Sequence, residues 1–133
     1  MLVRKGDLLV SLTRPTRGAI AFAPVAAIAS TGFAVIRQCT NDILPAYLLA
    51  VLRSKLCTLQ FDQRSTGGNY PAITEDQLLL CKVPVPSMPV QQRIAFQAGK
   101  IKAEAKRLKS HAVEQLEVVK KHIEEELMGN SNV

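Results

Sequence analysis

The residues best equipped for chemistry lie in two short polar stretches. One is Thr13-Arg14-Pro15-Thr16-Arg17-Gly18, the other Arg64-Ser65-Thr66-Gly67-Gly68-Asn69-Tyr70. An arginine fork can grip a phosphate or read guanine by two hydrogen bonds, and an asparagine can read adenine. The glycines let backbone N–H groups come close to a phosphate. Thr13, Arg14, Thr16, Arg17, Arg64, Ser65, Thr66, Asn69 and Tyr70 are therefore candidate nucleic-acid contacts. An ordinary surface turn can have this composition too, so on residue types alone both readings stand.

No catalytic constellation accompanies them. His111 and His122 are eleven residues apart, on one face of a helix but about 16 Å apart along its axis, which makes no metal site within one chain. The acidic residues are spaced like a solvated helix face, not like paired carboxylates in a pocket. The nucleophile-elbow, phosphate-loop and zinc-protease motifs are absent. Asn69-Tyr70-Pro71-Ala72 has the letters of an adenine-methyltransferase Asn-Pro-Pro-Tyr loop in the wrong order, with no glycine-rich cofactor motif before it. The expectation is a chain that is not an enzyme and carries no cofactor or metal. Cys39, Cys57 and Cys81 are odd in number and lack C-x-x-C spacing, which fits half-buried thiols in a reducing cytoplasm.

The elements that position these stretches follow from composition and periodicity. A length of 133 residues gives one domain and at most an added element, and 47% apolar residues suffice for a core. With 5% aromatics and no Trp, that core is expected to be aliphatic. The net charge of +6 favours a polyanionic partner. Six of the seven prolines and most glycines fall in residues 1–88. The chain is therefore expected to divide into a globular part over 1–88, a long helix over 89–128 and a disordered tail over 129–133. The apolar run Ala19–Ala29 follows Arg14 and Arg17 and ends in a small-x-small triplet, but its late start and Pro24 read against a signal peptide. It is also too short to span a membrane.

Within the first part, Lys5-Gly6-Asp7 is a turn into a buried strand, Leu8–Leu12. Ile20–Phe22 and Phe33–Ile36 read as further strands, parted by Ser30-Thr31-Gly32. After Asn41-Asp42, a helix with Pro45 in its first turn sets Leu44, Leu48, Val51, Leu52 and Leu56 on one face. Thr74-x-x-Gln77 matches a capping box, and Lys82–Pro86 must be extended because residues before proline avoid the helical region.

From Pro89 to about Met128 the pattern is one helix about 60 Å long, ended by Gly129-Asn130. Its apolar stripe is Ile94, Ala98, Ile101, Ala105, Leu108, Ala112, Leu116, Val119, Ile123 and Leu127, expected to be a helix interface. Arg93 to Lys109 holds six basic residues against Glu104, a net of +5. Ser110 to Leu127 holds Lys120 and Lys121 against five glutamates, a net of −3. That order opposes the helix dipole, so an antiparallel partner that sets basic half on acidic half is expected, in a homodimer or with a related helix. Folding back onto its own first part is the alternative.

Several stretches recur together in one family. They are Val3-Arg4-Lys5-Gly6-Asp7-Leu8-Leu9-Val10-Ser11, Ala29-Ser30-Thr31-Gly32-Phe33-Ala34-Val35-Ile36-Arg37, Leu44-Pro45-Ala46-Tyr47-Leu48 and Leu52-Arg53-Ser54. Gly67-Gly68, Ile73-Thr74, Leu78, Val83-Pro84-Val85-Pro86 and Gln91-Gln92-Arg93-Ile94-Ala95 follow. In this order, over roughly residues 3 to 98, they resemble the C-terminal part of a target-recognition domain from type I restriction–modification specificity subunits. The resemblance implies an α+β fold, a small mixed domain followed by one long helix, with loops that enter the grooves of double-stranded DNA. It implies a spacer helix packed antiparallel on a second one, and methyltransferase (M) subunits that dock and perform the chemistry with S-adenosylmethionine. Full subunits carry two such domains, so the chain is expected to be part of a split subunit or a half that pairs. The alternative is a truncated assembly module that dimerises or docks on a methyltransferase without reading DNA.

Overall fold

The computed structural model describes residues 1–37 and 40–129; Cys39 and the tail at 130–133 lie outside them. The chain divides into two units, Met1–Ala95 and Phe96–Val133. The first is mixed α/β, with two small antiparallel sheets and short helices.

Alternating side chains build the larger sheet. Strand β2 (Leu8–Ser11) lies between β3 (Ile20–Phe22) and β5 (Phe33–Ile36), both antiparallel to it. Leu8, Val10, Ile20 and Ala34 share its buried face, as a strand's period of two requires. The expected strands are all present, the first one residue shorter than read. A smaller sheet pairs β1 (Leu2–Val3) with β4 (Ala27–Ile28), strands too short for a periodic signal.

Asp7 ties these sheets together. It is only 3% exposed, and it accepts the Arg4 N–H at 2.8 Å and two bonds from Arg37 Nε and Nη2, the shorter at 2.9 Å. The same Nη2 donates to the Leu2 carbonyl at 2.9 Å, so one guanidinium links β1 to the end of β5. The Arg37 hydrogen bonds, with the Arg4 N–H, hold the Asp7 carboxyl below its ordinary range.

The helix expected after Asp42 is two helices, α1 (Pro45–Leu52) and α2 (Lys55–Arg64), broken at Arg53-Ser54. The break resets the helical phase. Leu48 and Leu52 are buried as expected, but Leu56 turns outward at 52% exposed while Cys57 and Phe61 take the core positions. The core is therefore not purely aliphatic: Phe61 and Tyr47 are among its most buried side chains. Tyr47 meets the requirement of a buried phenol by donating to the Pro84 carbonyl at 2.8 Å.

A short helix α3 (Glu75–Leu79) realises half of the capping box. Thr74 Oγ1 accepts the Gln77 N–H at 3.2 Å, whereas the Gln77 side chain accepts from Arg64 Nη1 instead of turning back. The Lys82–Pro86 segment, outside any helix or strand, is held by side chains. Gln60 exchanges two hydrogen bonds with the Lys82 backbone, at 2.8 and 2.9 Å, and Tyr47 and Gln91 take the Pro84 and Pro86 carbonyls.

Helix α4 (Met88–Gly129) begins one residue before its expected start and includes Gly129. Gln91, in its first turn, is fully buried. Its Oε1 accepts the Leu44 N–H at 2.9 Å, capping α1, and its Nε2 donates to the Asp42 and Pro86 carbonyls at 2.7 and 2.9 Å. Among the described residues, no buried side-chain nitrogen or oxygen lacks a partner.

In the second unit, α4 exposes Ile101, Leu108, Leu116, Val119, Ile123 and Leu127. Its first turn holds no acid and its last turn no base, so local charges leave the dipole uncompensated. Glu104–Arg107, Glu117–Lys120, Lys121–Glu125 and His122–Glu126 pair along its surface. Among the described residues, no helix is long and apolar enough to cross a membrane.

Candidate nucleic-acid interface

The two polar stretches, some fifty residues apart in sequence, meet in the fold. Ala72 makes the junction. It pairs antiparallel with Thr66 through two hydrogen bonds of 2.9 Å and forms a second bridge to Thr13. Beside it the Ile73 N–H donates to the Leu12 carbonyl at 2.9 Å, and the Arg14 N–H donates to the Pro71 carbonyl at 2.7 Å. The loops are thus cross-braced through main chain.

Each loop needs unusual backbone. Pro15–Arg17 forms a 3-10 turn with Pro15 buried, flanked by Arg14 at φ 48° and Gly18 at φ 65°. For a residue with a Cβ, the left-handed region costs about 1 kcal/mol. Gly67 sits at φ 101°, and a Cβ there would meet the Tyr70 carbonyl oxygen at 2.9 Å, so glycine is required.

The expected contact residues fall into two groups. Thr13, Thr16, Arg17, Thr66, Asn69 and Tyr70 are exposed on the braced loops, and Arg14, half-buried, stacks its guanidinium 4.4 Å from the Tyr70 ring centre. Arg64 and Ser65 have internal partners: Arg64 donates to Gln77 Oε1 at 3.2 Å, and the Ser65 hydroxyl returns to the Phe61 carbonyl at 2.6 Å, ending α2. Arg53 was not among the expected contacts. It is exposed in the break between α1 and α2, and its Cγ would lie 4.0 Å from a Cβ at Gly18. No spacing rule connects position 53 to position 18; only the α1–α2 break brings it there.

The arrangement offers cations, hydroxyls and a carboxamide on an open surface. Among the described residues, no group of three or more His, Cys, Asp or Glu side chains could hold a metal ion. Burial pushes the thiols of Cys57 and Cys81 up, which favours their protonated form.

The family model described as "Type I restriction modification DNA specificity domain" matches residues 1–123, a span that includes both loops and most of α4. The chain belongs to this family. It is 33% identical over 97 residues to the type I restriction enzyme HindI specificity subunit of Haemophilus influenzae, a match over 69% of this chain and 21% of that protein. It superposes on the HsdS subunit of Thermoanaerobacter tengcongensis with a TM-score of 0.65 at 30% identity, over 89% of this chain and 32% of that one. A chain from a structure on complex assembly and conformational transition of the type I R-M system gives a TM-score of 0.63 at 31% identity, over 82% of this chain and 28% of that one. This specificity-domain chain thus spans between a fifth and a third of the relatives it matches.

Proposed function

We infer that this chain recognises double-stranded DNA for a type I restriction–modification system, as a non-catalytic module working in the cytoplasm. The observation that carries this reading is the cross-braced pair of loops, which gathers Arg14, Arg17, Asn69 and Tyr70 on one main-chain frame. Arg17 and Arg53, exposed beside each other's loops, suit phosphate; Arg14 and Asn69 are of the types that read bases. Arg64, Ser65, Thr13, Thr16 and Thr66 complete the contact set as neighbours on the same frame. Methyltransferase (M) subunits dock on the assembly and supply the catalysis. Residues 89–128 act as the spacer, with the α4 stripe from Ile94 to Leu127 pairing antiparallel on a second specificity half or a second copy. The segregated charge of α4 and its exposed apolar residues support that pairing.

Titration of labelled duplex DNA with the full chain at several salt concentrations tests the reading. Affinity is expected to fall steeply with salt, and Arg17→Ala to lower the log–log slope by about one, the signature of one lost phosphate contact. Arg14→Ala and Arg64→Ala are expected to weaken binding as well. Affinity indifferent to all three changes would contradict the assignment.

A further inference from the structure

Among the described residues, Arg14 is the one non-glycine residue with a left-handed backbone, and its guanidinium is the one stacked on a tyrosine. Two unrelated constraints therefore converge on a single side chain. The main chain is clamped on both sides: the Arg14 N–H donates to Pro71 O at 2.7 Å, and the Arg14 carbonyl accepts the Arg17 N–H at 3.0 Å. The side chain lies over the ring of Tyr70, whose main-chain carbonyl closely approaches Gly67. Core packing does not account for that ring, which is 70% exposed.

A phosphate contact needs none of this. A cation on a flexible stem suffices, and Arg17 already provides one. Holding a planar fork in one orientation matters where two donors must meet two acceptors on a base edge at once. A cation–π contact engages the positive charge without using a hydrogen-bond acceptor. Accordingly, among the described residues no hydrogen bond takes the Arg14 guanidinium donors, whereas Arg37 spends its Nε and Nη2 donors inside the fold. Strained backbone held by surrounding structure is a recurring mark of a working residue.

We propose that Arg14 reads a guanine in the major groove through paired N–H bonds to O6 and N7, and that Tyr70 is its positioning residue. The inference rests on the DNA-recognition reading above and adds to it the base and the reader.

The test is selection of the full chain on a duplex library randomised across its central base pairs, with the wild type beside Arg14→Lys, Tyr70→Ala and Tyr70→Phe. The wild type enriches a motif with at least one fixed G·C pair. Arg14→Lys keeps the charge but not the fork, and Tyr70→Ala removes the platform. Each lowers the guanine preference at one and the same position by about tenfold or more and leaves the other positions unchanged. Tyr70→Phe keeps a ring face and retains the preference. A motif unaltered by Arg14→Lys overturns the proposal, as does equal loss in Tyr70→Ala and Tyr70→Phe. A wild type that binds duplex without enriching any motif overturns it while the DNA reading stands; a wild type without duplex affinity removes that reading itself. If Tyr70→Ala fails to fold in a thermal melt, Arg14→Lys against Tyr70→Phe decides.

Discussion

At the residue scale, the first unit is held by a few polar side chains that each satisfy several partners. Asp7 is the clearest. Its carboxyl is held below the ordinary range by the Arg37 hydrogen bonds, so in the folded state it binds a proton less readily than in the unfolded chain. The linkage sign follows: the contribution to stability is complete above the unfolded carboxylate value, near pH 4, and is lost as pH falls through the lower folded value. Asp7→Asn is expected to destabilise the protein at pH 7, with the gap to wild type closing as the pH falls below about 4, in denaturant titrations at each pH. A gap of equal size at pH 7 and under strong acid would show that the ion pair is not its source. Gln91 acts similarly, joining the Asp42–Leu44 segment and Pro86 to α4 by three hydrogen bonds. Neither role was legible. Of the adjacent Gln91 and Gln92, nothing in the sequence marks which one is buried, because two of its three partners are backbone atoms 47 and 49 residues away. Arg14 and Arg17 were legible as loop cations by type alone, while the stack of Arg14 on Tyr70 depends on a tertiary brace.

At the element scale, the two loops act as one because Ala72 pairs with both. Gly67 makes that turn possible through its positive φ and the approach of the Tyr70 carbonyl. Gly67→Ala is expected to destabilise the fold by about 1–3 kcal/mol in a urea titration and to weaken DNA affinity with it, since the strain falls on the residue that carries the ring. Unchanged stability and affinity would mean the brace is not as tight as its geometry. Strands written as short apolar runs between turn residues were legible: Ile20–Phe22 and Phe33–Ile36 stand where the pattern placed them. The α1–α2 break was not, because Leu44 to Leu56 continues a helical period across Arg53-Ser54. Only the burial of Cys57 and Phe61 shows that the phase had reset. The pairs β1 and β4 offer two residues each, below the length at which periodicity carries information.

At the scale of the whole molecule, the proposed function pairs DNA recognition by the first unit with association through α4. A stripe of leucine, isoleucine and valine from Ile101 to Leu127, each half or more exposed on α4, is apolar area that association would remove from water. Its basic-then-acidic order makes the antiparallel alignment the attractive one. Replacing Leu108 and Leu116 together by Asp is expected to shift the chain toward monomer in sedimentation equilibrium, and raising the salt to weaken wild-type association. A distribution that ignores both changes would point to another surface. That one long helix follows the first 88 residues was legible because forty residues with one internal glycine and a steady period leave few alternatives. Its partner was inferred from charge order alone. The claim on which the rest depends is that duplex DNA sits on the braced loops, and hydrogen exchange of the full chain with and without a bound duplex tests it most directly. Slowed exchange is expected at the amides of residues 13, 14, 16–18 and 66–70. Protection confined to α4 beyond Phe96, with those loops unchanged, would contradict it.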